Sequence, residues 1–117
     1  GMFWHDGLIY VADAINNRIQ VFRDSGEFIQ ILGAPDHEPP LHYPYDLASG
    51  PNNDLFVIEY GGNRVTQLSL DGRVLSIFGE SGHGSGQFST PWGIAVDHSG
   101  RIVVADTGNR RMVEIKR

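Results

Sequence analysis

Three pairs of residues have the types and spacing to do chemistry: Asp13 with Arg18, Glu59 with Arg64, and Asp106 with Arg111, each a carboxylate followed five positions later by a guanidinium. Gathered around a common axis, such groups would form a ring of acid–base residues. Held within their own turns, each would form a charge-assisted brace, a geometry suited to the fork of an arginine. A device present in every copy of a repeat is what a structural brace requires, so bracing is the reading adopted. Replacing Arg64 by Ala should then cost about 1–3 kcal/mol, because the carboxylate of Glu59 loses its partner.

Other candidate chemistry is sparser. The histidines are His5, His37, His42, His83 and His98, and no two share the close spacing of a helical zinc motif. His37, His83 and His98 fall in loops and read as solvated. Ser89 and Thr90 lack the strand–turn–helix context of a nucleophile elbow. The run Gly82-His83-Gly84-Ser85-Gly86 could cradle an anion only if a helix followed it. The residues after it alternate as strand, so the run reads as a flexible connection in which Phe88 plugs back between copies.

The elements that must position the pairs repeat. Val11-Ala12-Asp13, Val57-Ile58-Glu59 and Val104-Ala105-Asp106 fall in register, 46 and 47 residues apart. Pro44 and Pro91, 47 apart, open two copies, and Gly33 and Gly79, 46 apart, close two. Each copy is a run of short segments rich in β-branched residues, broken by Gly, Asn and Asp, which is the pattern of an antiparallel meander. Leu55–Ile58 and Ile102–Ala105 have no polar face, so both sides of those strands must be covered by neighbouring sheets. A period in the forties built from short strands points to propeller blades. Copy one spans about residues 3–33, copy two about 43–79 and copy three about 88–117. The expected strand count is three, four and three: the first copy is short of its opening strand and the third of its closing strand. Asn16, Asn63 and Asn109 read as positive-φ or Asx-turn residues of equivalent loops.

The 117 residues are one domain's worth, and 40% hydrophobic with 20% charged residues is the composition of an ordinary globular protein. The net charge of −5 with no basic stripe disfavours a nucleic-acid backbone as partner. There is no cysteine and no apolar run of bilayer length, so neither a disulfide framework nor membrane insertion is expected.

Phe88-Ser-Thr-Pro-Trp-Gly-Ile-Ala-Val-Asp97, running into Gly100-Arg-Ile-Val-Val-Ala-Asp-Thr-Gly-Asn-Arg-Arg111, resembles the NHL repeat, the blade of a propeller family usually built with six blades. The resemblance extends through the second and first copies. It departs at Asp46, where Gly is usual, at Glu59, where Asp is usual, and at Arg110, a position often held by Asn. The resemblance implies an all-β fold of four-stranded antiparallel blades, about three per chain with incomplete terminal blades. Three functional classes follow from it: an interaction scaffold, a propeller enzyme such as the peptidyl-hydroxyglycine amidating lyase or the calcium-dependent sugar lactonases, and an RNA-binding domain. Pro44-Tyr45 and Pro91-Trp92 replace the Pro-His opening of the lyase, and the chain has no cysteine, so the scaffold leads. No cofactor is expected, with calcium or zinc entering only under the enzyme alternative.

In a propeller the blade connections and the second-to-third-strand turns gather around the channel mouth, where ligands bind. His42, Tyr45, Tyr60, Trp92, Asn109 and Arg110 fall at such positions and are the candidate ligand-binding residues. Three blades cannot close on themselves. Their outer faces would each expose several hundred Å² of apolar sheet, and covering about 400 Å² is nominally worth on the order of 10 kcal/mol. A homodimer completing a six-bladed ring is therefore expected, its open edges recruiting Met2-Phe3-Trp4 or further chains.

Overall fold

The computed structural model describes residues 1–33 and 40–116; His37 lies outside them. The chain is all-β. The first sheet is β1 (Met2–His5), β2 (Leu8–Asp13), β3 (Arg18–Arg23) and β4 (Phe28–Leu32), paired in sequence order and antiparallel. The second is β5 (Pro44–Ser49), β6 (Asp54–Glu59), β7 (Arg64–Ser69) and β8 (Val74–Phe78), paired the same way. A short parallel ladder of β9 (Glu80–Ser81) and β10 (Gln87–Phe88) ties off the next connection. The third sheet is β11 (Gly93–Val96), β12 (Ile102–Asp106) and β13 (Arg111–Ile115).

Two expectations are corrected here. The first sheet has its opening strand: Met2, Phe3, Trp4 and His5 pair with Val11, Tyr10, Ile9 and Leu8, and the carbonyl of Gly1 accepts the Ala12 N–H. The alternation of Met2-Phe3-Trp4, with Phe3 turned inward onto Tyr10, supplies a full inner strand from the first residues. Met2-Phe3-Trp4 is therefore not available to recruit a further edge. The glycine-rich connection is also not slack. Ser81 Oγ accepts from Asn63, and the carbonyls of Gly82, His83, Gly84 and Gln87 accept from Asn109 or Arg111.

Each sheet is twisted against the next, and alternation along the strands assigns one face to each neighbour. Tyr10, Ile19, Val21 and Leu32 of the first sheet meet Leu47, Leu55, Val57 and Leu68 of the second. Phe56, Ile58 and Val65, on the other face of the second sheet, meet Ile102 and Val104 of the third. Every residue of β6 is buried: Leu55–Ile58 as an apolar run between two sheets must be, and Asp54 and Glu59 at its ends despite their carboxylates.

The connections are seated by a plug. Leu41 lies over Gly33 and Phe88 over Gly79, and a Cβ on either glycine would sit 2.3 Å or 2.4 Å from the plug side chain. Both glycines hold positive φ, +74° and +93°. A close approach and a left-handed backbone at one position admit only glycine.

Candidate functional site

The three carboxylate–guanidinium pairs are in contact within their turns, and two of them hold more than those turns. Arg64 Nε lies 2.8 Å from Glu59 Oε2, and its Nη2 donates to the Pro40 carbonyl at 2.7 Å. Glu59 is fully buried; its Oε1 accepts the His42 N–H at 2.7 Å, and Oε2 also accepts a short hydrogen bond from the Thr66 hydroxyl. In the third sheet Arg111 Nε lies 2.9 Å from Asp106 Oδ2, and Asp106 Oδ1 accepts the Ser89 N–H at 2.8 Å. The brace thus clamps the connection that leads into its blade. In the first sheet Arg18 Nε lies 2.8 Å from Asp13 Oδ2, which also accepts from Asn16 and Gln20, and Asp13 remains 21% exposed.

These contacts set the carboxylate chemistry. Burial pushes Asp106 up, but the Ser89 N–H, Asn109 and Arg111 outweigh it, leaving its carboxyl below the ordinary range. Asp13 is held down chiefly by the hydrogen bond from Arg18. Groups fixed as anions between donors are suited to holding backbone in place rather than to exchanging protons with a substrate.

A second latch runs the other way, from each blade to the next. Asn17 Oδ1 accepts the Tyr43 N–H at 2.7 Å, and Asn63 Oδ1 accepts the Thr90 N–H at 2.8 Å. Asn17, Asn63 and Arg110 all adopt left-handed φ, 54°, 53° and 55°. The equivalent loop residues are therefore Asn17, Asn63 and Arg110, four positions after the carboxylate. Asn16 and Asn109, three positions after it, are a different set whose amides bond Asp13 and Asp106. Gly62 takes that place in the second blade, and its missing side chain makes room for the longer Glu59, whose Oε1 would lie 3.1 Å from a Cβ there. Counting from the carboxylate rather than matching asparagines would have revealed both sets.

Of the candidate ligand-binding residues, three come together. Tyr45 lies 6.1 Å from Trp92 and 5.8 Å from Tyr60 between ring centroids. Tyr43, not singled out as a candidate, completes the cluster 6.4 Å from Tyr45 and 5.5 Å from Tyr60. All four rings are exposed, between 36% and 50%. They straddle the inner strands β5 and β11 of adjacent blades, with Tyr43 held at positive φ by the Asn17 latch. His42 is exposed beside them and contributes its backbone to the Glu59 brace. Asn109 is committed to the connection: its amide bonds Asp106 and the Gly82 carbonyl, and its Oδ1 meets His83 Nδ1. His83, expected to be only solvated, is exposed but engaged there. Arg110 projects into solvent with no side-chain hydrogen bond among the described residues.

Asp46, the departure at a usual glycine, accepts the Ile94 N–H at 3.2 Å and so links the two inner strands beneath the aromatic cluster. Two clefts lie elsewhere. One of about 610 Å³ opens between the first two blades near His5, Asn53 and Asp71, and one of about 470 Å³ lies beside β13.

The sequence profile of the NHL repeat matches residues 88–114. NHL repeat-containing protein 3 of Homo sapiens is 31% identical over 103 residues, 80% of this chain and 30% of that protein. The chain belongs to the NHL-repeat family. Protein lin-41 of Caenorhabditis elegans is 41% identical over 51 residues, 44% of this NHL chain and 4% of that protein. The chain thus spans under a third of the length of these relatives. Among solved structures, virginiamycin B lyase from Staphylococcus aureus superposes on 99% of the NHL chain with TM-score 0.70 at 20% identity, the chain covering 40% of it. Glutaminyl cyclase from Myxococcus xanthus gives TM-score 0.69 at 16% identity, with 99% of this chain and 53% of that one covered. At these identities the likeness concerns fold: the three sheets are β-propeller blades.

Proposed function

We propose that these NHL blades form a non-catalytic interaction scaffold whose recognition surface is the aromatic strip Tyr43, Tyr45, Tyr60 and Trp92. The observation that carries this reading is the strip itself. Four large rings lie side by side in solvent, on rigid strands, at the inner ends of two blades. Rigid aromatic side chains offer large contact area at little cost in side-chain entropy, and they anchor protein interfaces more often than other residues do. The carboxylates next to them in sequence, Asp46 beside Tyr45 and Glu59 beside Tyr60, are already engaged by backbone N–H groups of this chain. A protein segment bearing apolar or ring-containing residues is the partner chemistry such a strip fits.

The test is selection from a displayed peptide library on the wild-type chain, with binding then measured to a Tyr45→Ser/Trp92→Ser variant. Peptides that bind the wild type and lose at least tenfold in affinity, about 1.4 kcal/mol, on the variant support the reading. Peptides that bind both equally, with both proteins folded, overturn it.

A further inference from the structure

The first two blades part at the end of their strands opposite the aromatic strip, leaving a cleft of about 610 Å³ open to solvent. His5, Asp6 and Tyr10 line it from the first blade, and Asn53, Asp71 and Arg73 from the second. The cleft belongs to an internal junction, for Gly1 sits at the far end of β1 with its ammonium on the Tyr45 carbonyl.

Tyr10 is the residue that packing does not explain. It is 1% exposed, its ring stacks on Phe3, and its hydroxyl meets the cleft without a hydrogen-bond partner among the described residues. The next junction shows that a ring alone fills this place. Phe56 stands 46 residues on, at the same ladder position, and is fully buried. Gly50 stands there in place of His5, and a Cβ on it would lie 2.8 Å from the Phe56 ring. The second junction is therefore closed where the first carries an imidazole, a phenol and a cleft. A polar group buried without a partner costs free energy, so a lone hydroxyl at the floor of a cleft is suited to meeting a ligand.

The surroundings of that hydroxyl select a cation. Asp6 and Asp71 carry negative charge at the mouth, 87% and 73% exposed, and the two basic groups of the lining each already stand beside one of them: His5 Nε2 lies 3.5 Å from Asp6 and Arg73 Nε 3.9 Å from Asp71. Burial, and after it the charge of Asp6, push the Tyr10 phenol above its ordinary value. A negative potential that resists a phenolate favours a cation beside the neutral phenol oxygen. Leu8 and Leu70 add apolar wall, against which the methylene stem of a long cationic side chain can lie. The acceptors on offer, a carboxylate, a phenol and the Asn53 amide, belong to separate turns and strands. A planar fork of five donors reaches several acceptors at once, whereas an ammonium acts as a point charge. The opening is wide enough to admit the backbone that carries such a side chain, and a free small cation would stay largely in water there.

We propose that this cleft is a second binding site of the chain, taking an arginine side chain presented by a partner protein. The guanidinium donates to the Asp6 carboxylate and the Tyr10 hydroxyl, and the stem lies against Leu8 and Leu70. The site is separate from the aromatic strip and does not rest on it.

The probe is the blocked peptide acetyl-Gly-Arg-Gly-amide, titrated into the isotope-labelled chain and followed by amide chemical shifts. Saturable shifts are expected at Asp6, Tyr10, Asn53 and Asp71. The same peptide with citrulline, which keeps the shape and loses the charge, should bind at least about tenfold more weakly. Tyr10→Phe, the side chain the next blade uses, and Asp6→Asn, a residue that tolerates the left-handed φ of 49° at that turn, should each weaken binding at least about threefold with circular dichroism unchanged. The Tyr45→Ser/Trp92→Ser variant should bind the arginine peptide as the wild type does. No saturation at about 10 mM peptide, equal binding of the citrulline peptide, or indifference to both substitutions overturns the proposal. Methylguanidine binding as tightly as the peptide, or loss of binding in the strip variant, also overturns it, the first in favour of a free small cation and the second in favour of cation–π contact on the strip.

Discussion

Replacement of Arg64 by Ala is the sharpest test of how the blades are held. The substitution removes a guanidinium 2.8 Å from Glu59 and 2.7 Å from the Pro40 carbonyl. Glu59 has no exposure, so its carboxylate would stay buried with only the His42 N–H and the Thr66 hydroxyl as donors. Breaking a buried pair from one side costs about 3–5 kcal/mol. Arg64 keeps 19% exposure, so water can enter the vacated space, and the expected cost is about 2–4 kcal/mol. This is above the value expected from sequence, because the sequence does not show that Glu59 is sealed. The matched control is Arg18→Ala. There Asp13 is 21% and Arg18 32% exposed, and the loss should be about 0.5–1 kcal/mol. With a urea slope of about 2 kcal/mol per molar, Arg64→Ala should lower the midpoint by about 1–2 M and Arg18→Ala by no more than about 0.5 M. Adding Glu59→Gln to Arg64→Ala removes the stranded charge and should recover more than half of the loss. Equal midpoints for the two arginine variants would refute the reasoning, as would a double variant weaker than the single.

Two further outcomes are expected. Gly79→Ala should cost about 2–4 kcal/mol in the same titration, since Phe88 must move and the backbone is left-handed, whereas Gly26→Ala, with φ +96° and open space around it, should cost only about 1–2 kcal/mol; similar losses would show that Phe88 is not a tight plug. In acid, Asp106 has a folded value below 3.8, so the folded protein binds fewer protons there than the unfolded chain; its stabilisation is complete above about pH 4 and disappears as pH falls through the folded value. The acid limb of a stability profile should therefore be shallower for Asp106→Asn than for wild type, although that variant starts less stable, and an unchanged slope would show that Asp106 is not held as an anion.

Much of this protein was legible in its residues because the controlling interactions are local or periodic. The spacing of Val-Ala-Asp against Val-Ile-Glu, the alternation within each strand and the Gly-centred turns are properties of short segments, so they fix strands, blades and the five-residue braces without any long-range information. Other features depended on where distant backbone arrives in space. The first blade's inner strand was missed because four residues with a single inward aromatic carry little pattern until Tyr10 is seen against Phe3. The apparent slackness of Glu80–Phe88 followed from its glycines, yet Arg111 and Asn109, over twenty residues later, hold its carbonyls. The equivalence of Asn17, rather than Asn16, to Asn63 is legible by counting four residues from each carboxylate, while the left-handed φ the two share shows only in the backbone. The aromatic strip combines Tyr43, Tyr45, Tyr60 and Trp92 from a connection, two strand ends and a second blade. Composition supplied the rings, but only the stacking of one sheet on the next brought them to one surface, since the energy that orders them is burial between blades, which no single repeat contains.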